Sequence, residues 1–307
     1  MLVSAPVDHV LVDEHTGKVK GVKMQDGVNI ESNIVVSDAG LVNTATNLLP
    51  EGLINIDFAA EDSPTLLHPG TSGLALFVGL EGNAESLNLP RSNVFIHSSN
   101  DLSETNRRTE RLSLDDALEL NPNDLDAIFV SCPSTKDSSW AMRHPKKSTL
   151  EIFTQAPYHW FEKFEQNYDK SIKSHGPEYE SAKTRIAEKM WTRVVQSLPT
   201  AKLPKTLGLV DHYEVGSPIS FSHYYKSQRG AFFGLDHDLK RFEPKTFFLR
   251  LRPEVPEVPG LYLTGQDILT DGMCGAMMGG LLCAQKVLGV SNPMSLLCKY
   301  NKEPSST

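Results

Sequence analysis

The sequence predicts a mixed α/β fold. Three observations carry this. Turn signals at Thr16-Gly17 and Asp26-Gly27 separate short apolar runs in the first 40 residues. A long stretch, Glu178 to Leu198, has apolar residues at helical spacing. Near the C-terminus, Leu261 to Thr264 runs into Gly265 and Asp267, and the chain then turns helical through repeated glycines.

The elements follow in order. Val7 to Val12 and Val19 to Met24 read as strands joined at His15-Thr16-Gly17-Lys18. Asp26-Gly27 turns the chain into Val28 to Ser37, which completes a three-stranded meander. Asp38-Ala39-Gly40 ends it, and Leu41 to Leu49 forms a short helix closed by Pro50. Leu74 to Leu80, Asn93 to His97, Ala127 to Cys132 and Leu150 to Ala156 read as strands. Ser103 to Leu120 is charged and helical in part. In Glu178 to Leu198 the stripe is Ala187, Met190, Trp191, Val194, Val195 and Leu198, a face for a core. Leu207 to Val215 reads as a strand, and Ser217 with Pro218 opens a helix. Gly230 to Leu235 is a compact aromatic segment, Thr246 to Leu251 a strand, and the tail from Asn301 is polar.

Composition narrows the function. The 307 residues carry a net charge of -8, which argues against nucleic acid as the main partner. The four cysteines, Cys132, Cys274, Cys283 and Cys298, show no CxxC spacing and read as reduced, mostly buried thiols. No Cys/His cluster has metal-ligand spacing, so no metal site is expected. His212 with Glu214, and Asp236-His237-Asp238, read as polar turns. No Gly-x-Ser-x-Gly elbow is present. The first residues show neither the basic end nor the apolar run of a signal peptide, so none is expected there, and the longest apolar run, Met273 to Ala284, is far short of the roughly 20 residues that span a bilayer.

The C-terminal stretch carries the chemistry. Gly265 permits a tight exit from the strand, and Asp267 stands where a carboxylate accepts hydrogen bonds from hydroxyl groups. The helix beginning at Met273 or Cys274 offers free N–H groups to an anion or an electron-rich ring edge. Gly275, Gly279 and Gly280 each cost about 1 kcal/mol in a helix relative to alanine, so close packing must compensate. A flat ligand and a neighbouring strand both satisfy that requirement.

Gly260-Leu-Tyr-Leu-Thr-Gly-Gln-Asp267 with Gly272, Gly275-Ala276, Gly279-Gly280 and Cys283-Ala284 resembles the C-terminal flavin-binding signature of the phytoene desaturase-type FAD flavoproteins, in their retinol saturase-like branch. Ile34-Val-Val-Ser-Asp-Ala-Gly40, Thr46-Asn-Leu-Leu-Pro50, Gly216-Ser-Pro-Ile-Ser220, Tyr224-Tyr225, Arg229-Gly230-Ala231 and Gly234 agree with it in order. The resemblance implies a partial Rossmann-like FAD/NAD(P)-binding domain interleaved with a substrate domain. It implies middle FAD-domain strands over 1–60, a substrate domain over 61–245, a return to the FAD domain over 246–290, and a tail over 291–307. By the same resemblance Gly265 belongs to the flavin turn and Asp267 takes the ribityl chain. Gly275, Ala276 and Met277 lie near the flavin ring, and Ala39 and Gly40 near the pyrophosphate. Tyr224, Tyr225, Phe232 and Phe233 are candidates for a substrate tunnel or the flavin face, although each taken singly is expected in the core. Tyr224 and His223 are candidate proton donors, each more simply read as structural. The implied activity is reduction of a C=C bond in a retinoid or related polyene, with FAD as cofactor and NAD or NADP as a candidate electron source. The implied location is the endoplasmic reticulum membrane surface.

One family feature is missing. No two glycines in the chain are separated by a single residue, so the GxGxxG phosphate turn is absent. The chain is therefore expected to match the C-terminal part of such a protein. Whether it is an enzyme, a non-catalytic fragment or pseudo-enzyme, or an isomerase or desaturase stays open at this point.

Overall fold

In a computed structural model of the protein, residues 1–54, 69–169, 174–237 and 252–292 are described. The expected strand over 246–251, Asp238, Cys298 and the tail from Asn301 lie outside them. The chain forms two compact units, one of residues 1–70 with 225–307 and the other of residues 71–224.

The discontinuous unit begins with β1 (Val7–Val12) and β2 (Val19–Met24), antiparallel as the turn chemistry requires. The side chain of Asp13 holds their turn by accepting from the backbone N–H groups of His15 and Thr16. The third strand, β3, is only Asn29–Glu31. The expected continuous run to Ser37 breaks at Ser32-Asn33. There the Ser32 hydroxyl donates to the Ile34 carbonyl at 2.7 Å and accepts from the Ile34 N–H at 3.2 Å. A local side-chain bond has replaced the ladder, and the chain leaves the first sheet. It resumes as β4 (Val35–Ser37), which pairs in parallel with β10 (Leu261–Leu263). One extended run thus serves two sheets.

β4 leads into α1 (Leu41–Asn43), which widens into a π-type turn over Thr44–Leu48. β10 leads into α7 (Gly272–Val287). The core of this unit collects Val10 and Val19 from the hairpin, Leu41 from α1, Leu261 and Leu263 from β10, and Ile268 from the turn beyond. No Rossmann-type nucleotide-binding motif stands among the described residues.

The continuous unit is built on an antiparallel sheet of five strands. Their order is β6 (Val94–Ile96), β7 (Ile128–Ser131), β8 (Lys147–Gln155), β5 (Gly73–Glu81) and β9 (His212–Gly216). Strict alternation of buried and half-buried residues along β8 shows one face turned to a core. That core is completed by α5 (Pro177–Ser197), whose Ala187, Met190, Trp191 and Val194 are buried as the stripe predicts, with Ile186 buried beside them and Val195 and Leu198 only partly buried. Trp191 is fully buried, and its indole N–H is satisfied by the Pro204 carbonyl at 3.1 Å.

The charged segment forms α2 (Leu102–Arg111) and α3 (Leu114–Glu119), the latter opened by a Ser113–Asp116 capping box. A short α4 (Trp140–Arg143) precedes β8. The strand expected over 207–215 starts only at His212, because Leu207–Leu209 closes a 3-10 turn first. α6 (Pro218–Tyr225) starts after Ser217 as expected. Ser217 is fully buried, and its hydroxyl lies 2.7 Å from the phenol of Tyr179 on α5.

Candidate functional site

β4 and β10 run parallel with Ser37 opposite Leu263, so both strands end at one edge. The loops 38–40 and 264–271 leave from that edge. The carboxyl ends of parallel strands are where α/β proteins place ligands, because the following backbone N–H groups point there. All seven sequence-predicted cofactor residues lie on these two loops and on α7.

Asp267 is the most constrained of them. It is 5% exposed. Its Oδ2 accepts the Leu41 N–H at 2.8 Å, and its Oδ1 accepts the Leu235 N–H at 2.9 Å. A Cβ added to Gly234 would fall 2.1 Å from Oδ1, and one on Gly40 would fall 3.2 Å from Oδ2. The carboxylate therefore sits between two backbone segments that glycines bring close.

Asp38 is its counterpart on the surface. Its side chain lies over Gly265, where an added Cβ would come within 2.0 Å of its Oδ1. Asp38 is exposed, and among the described residues its carboxylate accepts no hydrogen bond. Partial desolvation, with the negative charge of Asp267 as the second cause, pushes its carboxyl above the ordinary carboxylate range.

Two glycines of α7, Gly275 and Gly279, are explained by packing on the protein's own backbone. A Cβ on Gly275 would meet the Thr270 carbonyl oxygen at 1.6 Å, and one on Gly279 the Gly265 carbonyl oxygen at 2.1 Å. The helix can lie against the turn only because these two positions lack side chains. Gln266 helps to seat it, accepting the Gly272 N–H at 3.0 Å and donating to the Phe232 carbonyl at 3.2 Å. The outward residues Met273, Ala276, Met277 and Met278 are exposed.

The predicted set therefore divides. Asp267, Gly265 and Gly275 are buried and Gly40 is half-buried, while Ala39, Ala276 and Met277 are exposed. The glycines do not form an open cradle, since protein atoms fill the space above Gly265, Gly275 and Gly279.

Gly234, Gln266 and the N–H groups of Leu41 and Leu235 complete the arrangement, and reading the sequence did not assign them this role. Gly234 stood among the motif glycines, but nothing local marks a backbone N–H as a partner for Asp267.

The aromatic candidates differ from their expected core placement. Tyr224 and Tyr225 are 79% and 72% exposed, Phe233 is exposed, and Phe232 is half-buried. Each sits at or after the end of a short element, α6 for the tyrosines and the 3-10 turn Gln228–Gly230 for the phenylalanines. His223 is exposed and stacks near Tyr168 and Tyr224. Cys132 and Cys283 are buried, whereas Cys274 lies exposed on α7. Among the described residues, no three His, Cys, Asp or Glu side chains gather as metal ligands. No described helix is long and apolar enough to cross a membrane.

This geometry is that of an α/β strand-end site, and comparison with known proteins gives its class. The chain is homologous to the oxidoreductase family of all-trans-retinol 13,14-reductases and phytoene desaturases. An all-trans-retinol 13,14-reductase of Danio rerio is 33% identical over 290 residues, covering 94% of this chain and 45% of that protein. An inactive all-trans-retinol 13,14-reductase of Danio rerio is 30% identical over 311 residues, covering 100% of this chain and 48% of that protein. A phytoene desaturase of Phycomyces blakesleeanus is 25% identical over 287 residues, covering 89% of this chain and 44% of that protein. The chain thus spans about half the length of the curated relatives it matches. No family model matches it.

Proposed function

We propose that this chain carries the flavin-facing wall and the substrate domain of a polyene C=C oxidoreductase, and that it does not catalyse the reaction by itself. The observation that carries this is the strand-end site. Its exposed surface at Ala39, Ala276 and Met277 suits a ring, yet its buried carboxylate and its glycines are engaged by the protein's own backbone. The match of the whole of this chain to 48% of a relative named inactive supports the non-catalytic part.

In this reading FAD supplies hydride transfer when bound, with NAD or NADP as its electron source. The residues of this chain bind and orient it. Ala39 and Gly40 border the pyrophosphate region. Ala276 and Met277 would border a ring edge, and Gly265, Asp267 and Gly275 would support that wall from within the protein. The substrate in this reading is a hydrophobic polyene such as a retinoid, taken up at the surface of the endoplasmic reticulum membrane.

The test is to incubate the purified chain with excess FAD, pass it through gel filtration, and supply retinol and a reductant. The expected result is no saturated product. Catalytic turnover to a dihydro-product would overturn the non-catalytic reading. Failure to protect any flavin from free exchange, measured by fluorescence, would remove the flavin wall itself.

A second reading is that this chain itself reduces a C=C bond. The identity to relatives named as reductases favours it. The same assay decides between the two.

A further inference from the structure

We infer that Asp267 is a positioning residue: an internal latch that joins three backbone segments and acts on a ligand at the strand ends only through them. The inference rests on the flavin reading only where ligand binding is measured, because the latch itself is read without ligand.

Both carboxylate oxygens are committed. Oδ2 holds the N–H of Leu41, 226 residues away, and Oδ1 holds the N–H of Leu235, 32 residues away. The turn carrying Asp267 is the third segment. Charge-assisted bonds to backbone N–H groups are among the stronger ones in proteins, and burial removes competing water. Without the carboxylate, two N–H groups in a buried environment would lose these bonds.

The glycines support the same role. Gly234 and Gly40 bring their backbone against the two oxygens, one to each. A side chain at Gly234 would displace Oδ1 and open the latch without altering its charge. Leu41 opens α1, and Gly265 is the exit from β10, so the latch sets the relative position of the two strand-end loops. A hydroxyl-bearing ligand approaching that edge meets Asp38, Ala39 and the exposed face of α7 before it meets Asp267.

The experiment uses the full chain with Asp267→Asn and, independently, Gly234→Ala. Asparagine keeps one acceptor oxygen but points an amide N–H₂ at a backbone donor. Amide hydrogen exchange is measured at Leu41 and Leu235, and binding is measured with riboflavin and with lumiflavin, which lacks the ribityl chain. Both variants are expected to speed exchange at the two amides together, by at least about tenfold. Each variant is also expected to weaken riboflavin and lumiflavin by the same factor.

The inference is overturned if Asp267→Asn leaves both amides protected. It is equally overturned if riboflavin is weakened about tenfold more than lumiflavin, which is the signature of direct ribityl contact. If the wild-type chain binds neither flavin, the flavin reading fails while the exchange data still decide the latch. If Asp267→Asn does not fold, Gly234→Ala reads the same two quantities.

Discussion

Asp38 and Asp267 flank one glycine turn, and their environments give them different work. Asp267 is buried and bonded to two backbone donors. Asp38 has no such donors and carries a carboxyl pushed above its ordinary value of 3.8, by desolvation first and by Asp267 second. A raised folded-state pKa means that the ionised form costs stability. The cost is present above the folded pKa and vanishes below the unfolded one, where Asp38 is protonated in both states. Asp38→Asn is therefore expected to raise the urea midpoint at pH 7 and to leave it unchanged near pH 3. An equal gain at both pH values would place the effect elsewhere.

Thiol chemistry separates residues at the same scale. Burial pushes the Cys132 thiol up to about 11, and Cys132 is inaccessible, whereas Cys274 is exposed. Iodoacetamide followed by peptide mapping is expected to mark Cys274 in the native protein and Cys132 only after unfolding.

Among the elements, α7 shows packing overruling propensity. Replacing glycine by alanine inside a helix gains up to about 1 kcal/mol when space allows. At Gly280 the nearest atom to an added Cβ is Thr264 Oγ1 at 3.9 Å, so Gly280→Ala is expected to stabilise by up to that amount. At Gly279 the added methyl would lie 2.1 Å from a carbonyl oxygen of the 264–270 turn. Gly279→Ala is therefore expected to destabilise despite its better propensity, by about 1–3 kcal/mol. Denaturant titration of the two variants, one residue apart, checks the contrast. α5 is the opposite case, since its buried stripe follows from spacing alone and no partner had to be known to predict it.

At the scale of the whole molecule, the chain is two units with separate cores. Residues 71–224 form one continuous stretch with its own five-stranded sheet and helix-covered core. Expressed alone, that stretch is expected to unfold in one cooperative transition, as domains with an independent core do. A chemical-shift spectrum or calorimetric trace lacking that transition would show that its core needs the rest of the chain.

The hairpin of β1 and β2, the stripe of α5 and the Ser217–Pro218 helix start were legible in the sequence. Each depends on residues within a few positions of one another, where turn chemistry, 3.6-residue periodicity and capping act. The sequence also marked Gly265, Asp267 and the α7 glycines as one group, and placed the chain beside polyene oxidoreductases. It did not show which way that group faces. The break at Ser32, which sends one extended run into two sheets, could not be read from β-propensity, because both halves favour strand. Nor could the partners of Asp267, which lie 32 and 226 residues away. A carboxylate beside a strand end serves a ligand's hydroxyls or the protein's own N–H groups equally well by its chemistry. Only the tertiary structure supplied the N–H partners, because only folding brings Leu41 and Leu235 within hydrogen-bonding distance of the buried carboxylate.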